Sequence, residues 1–244
     1  MTVIAVYQDY VHNNGSLISA LQSRDIIAQM VDAQDIIDGA LDVFDAFIMP
    51  GGADLYYCEK LNGAGNDKIR RYVEDGGIYI GICAGAYYAC NSIDWNKGEI
   101  AGKRELAFMD TKAVGPVFDF LEDKDIEKSW YNAVPLQWGE QKFLTLYAAG
   151  PVFENLSDDV EVYASYEHGP AVIAQRVGKG AVVLSSPHIE ICGDAFLRGR
   201  YDHKSKSAAH ENKIAQMMLR DADLQNEFLD SILKEINSSG LTTR

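Results

Sequence analysis

The chain has 244 residues, of which 47% are hydrophobic and 24% charged, ordinary values for a soluble globular protein of a length that α/β folds often use as one unit. Its formal net charge of -14 argues against a broad electrostatic surface for nucleic acid or for an anionic membrane. No apolar stretch approaches the ~20 residues of a spanning helix, no basic residues precede the first apolar run, and Cys58, Cys83, Cys90 and Cys192 form no C-x-x-C pair, so free thiols in a reducing, cytoplasmic setting are expected, with no metal and no cofactor.

In chain order, Val3 to Tyr7 is a short β-rich run that reads as a first strand. A polar loop through Asn13-Asn14-Gly15 follows, and Ser16 is placed to cap a helix carrying Leu17, Ile18, Ala20 and Leu21. Asp25 to Val31 reads as a second strand, Ala33 to Gly39 as a turn or short helix, and Phe44 to Met49 as a third strand. Short apolar runs separated by helical segments are the signature of a parallel sheet covered on both faces.

The third strand runs into Pro50-Gly51-Gly52-Ala53-Asp54-Leu55-Tyr56-Tyr57. Ligands of open α/β sheets bind outside the carboxyl ends of strands. A Gly-Gly turn there offers backbone N–H groups with no side chain in the way, as an oxyanion hole requires; it is equally the composition of a plain tight turn. Asp67 to Glu74, with Ile69, Tyr72 and Val73 at helical spacing, is closed by Gly76-Gly77 and leads to the apolar run Ile78 to Ile82.

At the end of that run stands Gly81-Ile82-Cys83-Ala84-Gly85-Ala86-Tyr87-Tyr88, which reads as strand, sharp turn and helix. A nucleophile on such a turn needs small neighbours, because its backbone is strained and strand and helix approach closely; Gly81 and Gly85 supply them. The alternative is a buried core cysteine. Beyond Cys90, the segment from Trp95 to Val114 is mixed in character and reads as loops around short strands.

From Ala133 the texture changes to short alternating runs, Val134 to Trp138, Phe143 to Ala148, Val160 to Tyr166, Ala171 to Val177 and Ala181 to Ser186, joined by hairpin-like links. Antiparallel pairing is expected here. The last run delivers Pro187-His188-Ile189-Glu190, where His188 can serve a cysteine as base and Glu190 can accept from the far ring nitrogen. Arg198 to Lys206 reads as a polar, basic loop, Ala208 to Met218 and Leu224 to Ile236 as amphipathic helices, and the last residues as a frayed tail. With no linker composition inside it, 1–236 is expected to form one domain and 237–244 the tail.

Pro50-Gly51-Gly52, Gly81-Ile82-Cys83-Ala84-Gly85 and Pro187-His188-Ile189-Glu190 resemble, in chain order, the three signatures of the class I glutamine amidotransferase fold. The longer stretches Pro50 to Leu55, Gly81 to Tyr88 and Gly178 to Ala181 resemble the amidotransferase-like domain found at the N-terminus of some biotin-protein ligases and as free-standing proteins. The resemblance implies a flavodoxin-like, mostly parallel sheet with helices on both faces and antiparallel hairpins in the C-terminal half. It implies Cys83 as nucleophile, His188 as base, Glu190 as its partner, and backbone N–H groups near Gly52 and Ala84 as the oxyanion hole. It implies action on a small-molecule amide or acyl compound, in company with an ammonia-accepting or ligase partner protein; the alternative is a non-catalytic module that binds a small molecule or regulates a partner.

Amidotransferases usually have Gln two residues after the second elbow glycine, where this chain has Tyr87, and His-Ile-Glu replaces the common His-Pro-Glu. A site reading free glutamine needs polar anchors, so a different, bulkier substrate is expected. At least one of Tyr87 and Tyr88 is expected at the pocket wall with Asp54 or Tyr56, unless both aromatics pack into the core.

Overall fold

Period-two alternation in the first strands sets the architecture. The structure, a computed structural model, describes residues 1–9, 14–199 and 208–238. Strands β1 (Val3–Tyr7), β2 (Ile27–Val31), β3 (Ala46–Met49) and β4 (Ile78–Ile82) are parallel. Ile4 and Val6 of β1, Ala46 and Ile48 of β3, and Ile78, Ile80 and Ile82 of β4 enter one core; Ala5, Tyr7, Phe47, Met49 and Tyr79 enter a second core on the opposite face. A strand apolar on both faces has to be covered on both. Helix α1 (Gly15–Gln22) packs Leu17 and Leu21 on the first face, while α2 (Ala33–Ile37), α3 (Asp54–Leu61), α4 (Ala64–Glu74) and α5 (Ala84–Ala89) cover the second.

Two local expectations shift. Helix α1 begins at Gly15, so Ser16 lies inside it and does not cap it; the flanking residue is Asn14, whose Nδ2 is occupied by Tyr7 O and Gln8 Oε1, both at 2.9 Å. Helix α4 begins at Ala64, three residues before the expected start. The segment 10–13, which holds part of the expected first loop, lies outside the described residues.

After α5 the chain leaves the main sheet. Strands β5 (Cys90–Trp95), β6 (Ile100–Lys103) and β7 (Met109–Gly115), where loops around short strands were expected, join β10 (Val152–Glu154) in a second, four-stranded sheet ordered β10-β7-β5-β6. Its Ile93, Met109, Ala113 and Phe153 pack into the same core as α5.

Strands β8 (Tyr131–Trp138), β9 (Gln141–Ala148), β11 (Glu161–Tyr166), β12 (Gly169–Val177) and β13 (Gly180–Ser185) return to the main sheet. It then has nine strands in the order β2-β1-β3-β4-β13-β12-β11-β8-β9. The first five are parallel in the 2-1-3-4-5 order of flavodoxin-like sheets, and the last four extend the same sheet antiparallel. Strand β13 is therefore the seam, parallel to β4 and antiparallel to β12.

Helices α6 (Gly193–Gly199), α7 (Ala208–Leu219) and α8 (Ala222–Ser238) complete the fold. Phe228 and Ile232 of α8 join the core of α1, and Ile214 and Met218 of α7 meet Phe196 and Leu146. Residues 200–207, most of the expected basic loop, and 239–244 of the expected tail lie outside the described residues. Among the described residues no helix is long and apolar enough to cross a membrane.

Candidate active site

The turn between β4 and α5 is built by contacts that only glycine permits. A Cβ on Gly85 would stand 2.1 Å from the carbonyl oxygen of Met49, and one on Gly81 would stand 2.5 Å from that of Gly85. Between them Cys83 adopts φ 50° and ψ -103°, a left-handed conformation that L side chains rarely take. Such a backbone persists only where its surroundings over-determine it. Here the Cys83 N–H donates to Ser185 O at 2.8 Å, and the Cys83 carbonyl accepts from the N–H groups of Ala86 and Tyr87 at 3.0 and 3.1 Å. As the first residue of α5, Ala84 has an N–H with no carbonyl to reach within the helix.

His188 follows β13, the neighbour of β4, so adjacent strands deliver the two side chains. Its backbone N–H donates to Leu146 O at 2.9 Å, which fixes the segment against β9. The ring Nδ1 lies 2.7 Å from Glu190 Oε1, and both residues are buried. A Cβ on Gly51 would come within 2.5 Å of His188 Cε1 and 3.6 Å of Cys83 Cβ. The first glycine of the pair thus lets the β3 turn lie flat against the imidazole and the cysteine together.

Burial acts to strip the proton from His188, but the Glu190 carboxylate, a hydrogen bond with Cys83 and the bond to Glu190 outweigh it and push the imidazole up to about 10. An imidazolium stabilises negative charge on a neighbouring sulfur. The Cys83 thiol also donates to Ala148 O at 3.3 Å, so its proton has two destinations, a carbonyl and a ring. Among the described residues, Glu190 Oε2 is buried with no hydrogen-bond partner.

Beside Cys83 opens a cavity of about 170 Å³. It is lined by Gly52, Cys83 and Ala84, by Ile93 and Trp95 of β5 in the second sheet, and by Trp130, the residue before β8. Trp95 and Trp130 are themselves in contact, with ring centroids 6.3 Å apart. Asp54 and Tyr87 line the cavity; Tyr56 is half-buried and does not. Both readings of Tyr87 hold at once, for its ring is in the core and its hydroxyl donates to Ala149 O at 3.1 Å. Tyr88 points away from the cavity, its hydroxyl bonded to Asn66 Oδ1 at 2.5 Å. The two tryptophans were missed in the sequence, although they are two of only three in the chain.

The family model described as "Biotin-protein ligase, N terminal" matches residues 42–242. The chain belongs to this family. The matched region holds the Gly51-Gly52 turn, the Cys83 elbow, both tryptophans and the His188–Glu190 pair. An uncharacterized protein of Chlamydia muridarum is 38% identical over 154 residues, 59% of each chain. The biotin–protein ligase of Schizosaccharomyces pombe is 32% identical over 175 residues, which are 65% of this chain and 28% of the ligase. The chain therefore spans well under two thirds of either relative. A solved glutamine amidotransferase superposes with a TM-score of 0.61 at 22% identity, covering 87% of this chain and 98% of that one. At that identity the likeness is one of fold, and this biotin-protein ligase N-terminal family member shares the amidotransferase-like fold.

Proposed function

We propose that this protein is a thiol amidohydrolase or amidotransferase acting on a C–N bond, with Cys83 as nucleophile, His188 as general base and acid, and Glu190 as the group that orients the ring. The observation that carries the reading is the left-handed Cys83 between two strictly required glycines, with a hydrogen-bonded His188–Glu190 pair packed against it. The sulfur attacks the acyl carbon with its proton already held by His188. The oxyanion is held by the N–H groups of Gly52 and Ala84, His188 protonates the departing amine, and water then attacks the thioester to release the acid and restore the thiol.

The substrate on this reading is an apolar or aromatic acyl compound rather than free glutamine, because tryptophans and isoleucines line the cavity and Tyr87, whose hydroxyl is already bonded to backbone, stands where the resemblance expects Gln. The kinship with a ligase suggests that a ligase, or another acceptor of the released ammonia, is the partner. A second reading, a ligand-binding module without turnover, draws support from the Cys83–Ala148 hydrogen bond, which gives the thiol a resting partner. Intact-mass measurement after treatment with electrophilic amide and ester probes separates them. A single adduct on Cys83, suppressed in His188→Ala, is expected, with little or no ammonia released from glutamine. Equal labelling of Cys58, Cys90 and Cys192 would refute the nucleophile; steady glutaminase activity lost in Cys83→Ala would refute the substrate class.

A further inference from the structure

Asp54 opens α3 just past the Gly51-Gly52 turn, and among the described residues it is the one carboxylate or cationic side chain that lines the cavity. Its Oδ2 accepts from Arg104 Nε at 2.6 Å, across 50 residues of chain. Arg104 Nη1 donates to Lys103 O at 3.2 Å, and Nη2 is buried with no partner among the described residues. The pair is nearly dry, with 6% of the Arg104 side chain and 11% of the Asp54 side chain exposed. Asp54 Oδ1 has no hydrogen-bond partner among the described residues, yet it is not one of the fully enclosed oxygens.

Taking two charges out of water is expensive, and a buried pair is often no more stabilising than apolar residues of the same size. Its place in the wall of an aromatic cavity points to recognition. A carboxylate with one oxygen tied to a guanidinium offers the other as an acceptor and nothing else. A ligand N–H meets a charge-assisted bond there; a ligand carboxylate meets an acceptor facing an acceptor, because Arg104, which balances the Asp54 charge, does not itself line the cavity. We infer that Asp54 selects substrates carrying an N–H donor beside an apolar body and rejects those presenting a carboxylate. This rests on Cys83 being the reacting atom, as proposed above. A bond to a charged acceptor is worth roughly 10- to 10²-fold in discrimination.

The test compares phenylalanine chloromethyl ketone with its desamino analogue on the full chain, following the Cys83 adduct by intact mass and dividing each rate by that of the same reagent with free cysteine. Iodoacetamide reports the thiol itself. The amine-bearing reagent is expected to react roughly 10- to 10²-fold faster than the desamino one, and Asp54→Asn, or Asp54→Ser should the first variant fold poorly, to remove most of that ratio. Equal rates in the parent protein, or a ratio that survives both variants, overturn the inference while iodoacetamide labelling leaves the nucleophile standing. The parent ratio decides even if neither variant folds, and no labelling by any reagent overturns both readings.

Discussion

The two ends of helix α5 each carry a cysteine, and they could hardly differ more. Cys90, at the carboxyl end, has ordinary extended backbone, is wholly buried, and gives its thiol to Ala86 O of its own helix at 3.3 Å; burial pushes that thiol far above the usual range. Cys83, at the amino end, is left-handed, lies against His188 and a cavity, and gives its thiol to a carbonyl 65 residues away. Exposure does not separate them, since Cys83 shows only 8% of its surface. The backbone and the company do. A strained residue costs on the order of 1–3 kcal/mol, and here Gly81 and Gly85 are arranged to hold it, whereas nothing distorts Cys90.

The contrast is broken most directly by removing one sulfur at a time. Cys83→Ala should abolish the native iodoacetamide adduct seen by mass spectrometry, and Cys90→Ala should leave it in place; the reverse pattern would invert the comparison. Next in size is Gly51→Ala. Its methyl would meet the His188 ring rather than backbone and would displace it. Labelling of Cys83 should therefore fall roughly 10²- to 10⁴-fold, the usual cost of losing a general base, while circular dichroism shows the fold retained. A parent-like labelling rate would show that His188 does not serve Cys83.

A smaller effect sharpens the electrostatics. His188 is raised to about 10 from an ordinary 6.5, so its contribution to stability is fully present below pH 6.5 and is lost as pH rises through about 10. Glu190 is the chief source of the rise. Urea unfolding of the parent and Glu190→Gln should thus differ more at pH 6 than at pH 10, by roughly 1–3 kcal/mol; a gap that is flat or widens with pH would be incompatible with a charged ring held by Glu190. Smallest is Tyr87→Phe, which leaves the Ala149 carbonyl without its donor and should cost about 1 kcal/mol in the same assay.

The parallel half of the fold was legible because β1, β3 and β4 are apolar on both faces and are separated by helices with clear spacing. The Cys83 elbow and the His188–Glu190 pair were legible for a related reason: glycine, cysteine and histidine at strand ends are rare enough to stand out. The second sheet was not. Every second residue of β7 is buried, but those residues are Met109, Thr111, Ala113 and Gly115, too small and mixed to read as an apolar face. Strand β6 is almost wholly exposed, so it has no pattern at all. The part of the cavity lining that this sheet supplies, Ile93, Trp95 and Ile100, was invisible with them. Arg104 was invisible for another reason: a single arginine gives no sign in sequence that it will be buried against an aspartate 50 residues earlier.

The hydrogen bond from the Cys83 N–H to Ser185 O closes the ladder between β4 and β13, two interior strands of a nine-stranded sheet. Deuterium can enter that amide only through openings that part these strands, so its exchange reports the separation of the sheet itself and not the breathing of any surface turn. The Cys83 sulfur would then sit among the slowest-exchanging amides of the molecule.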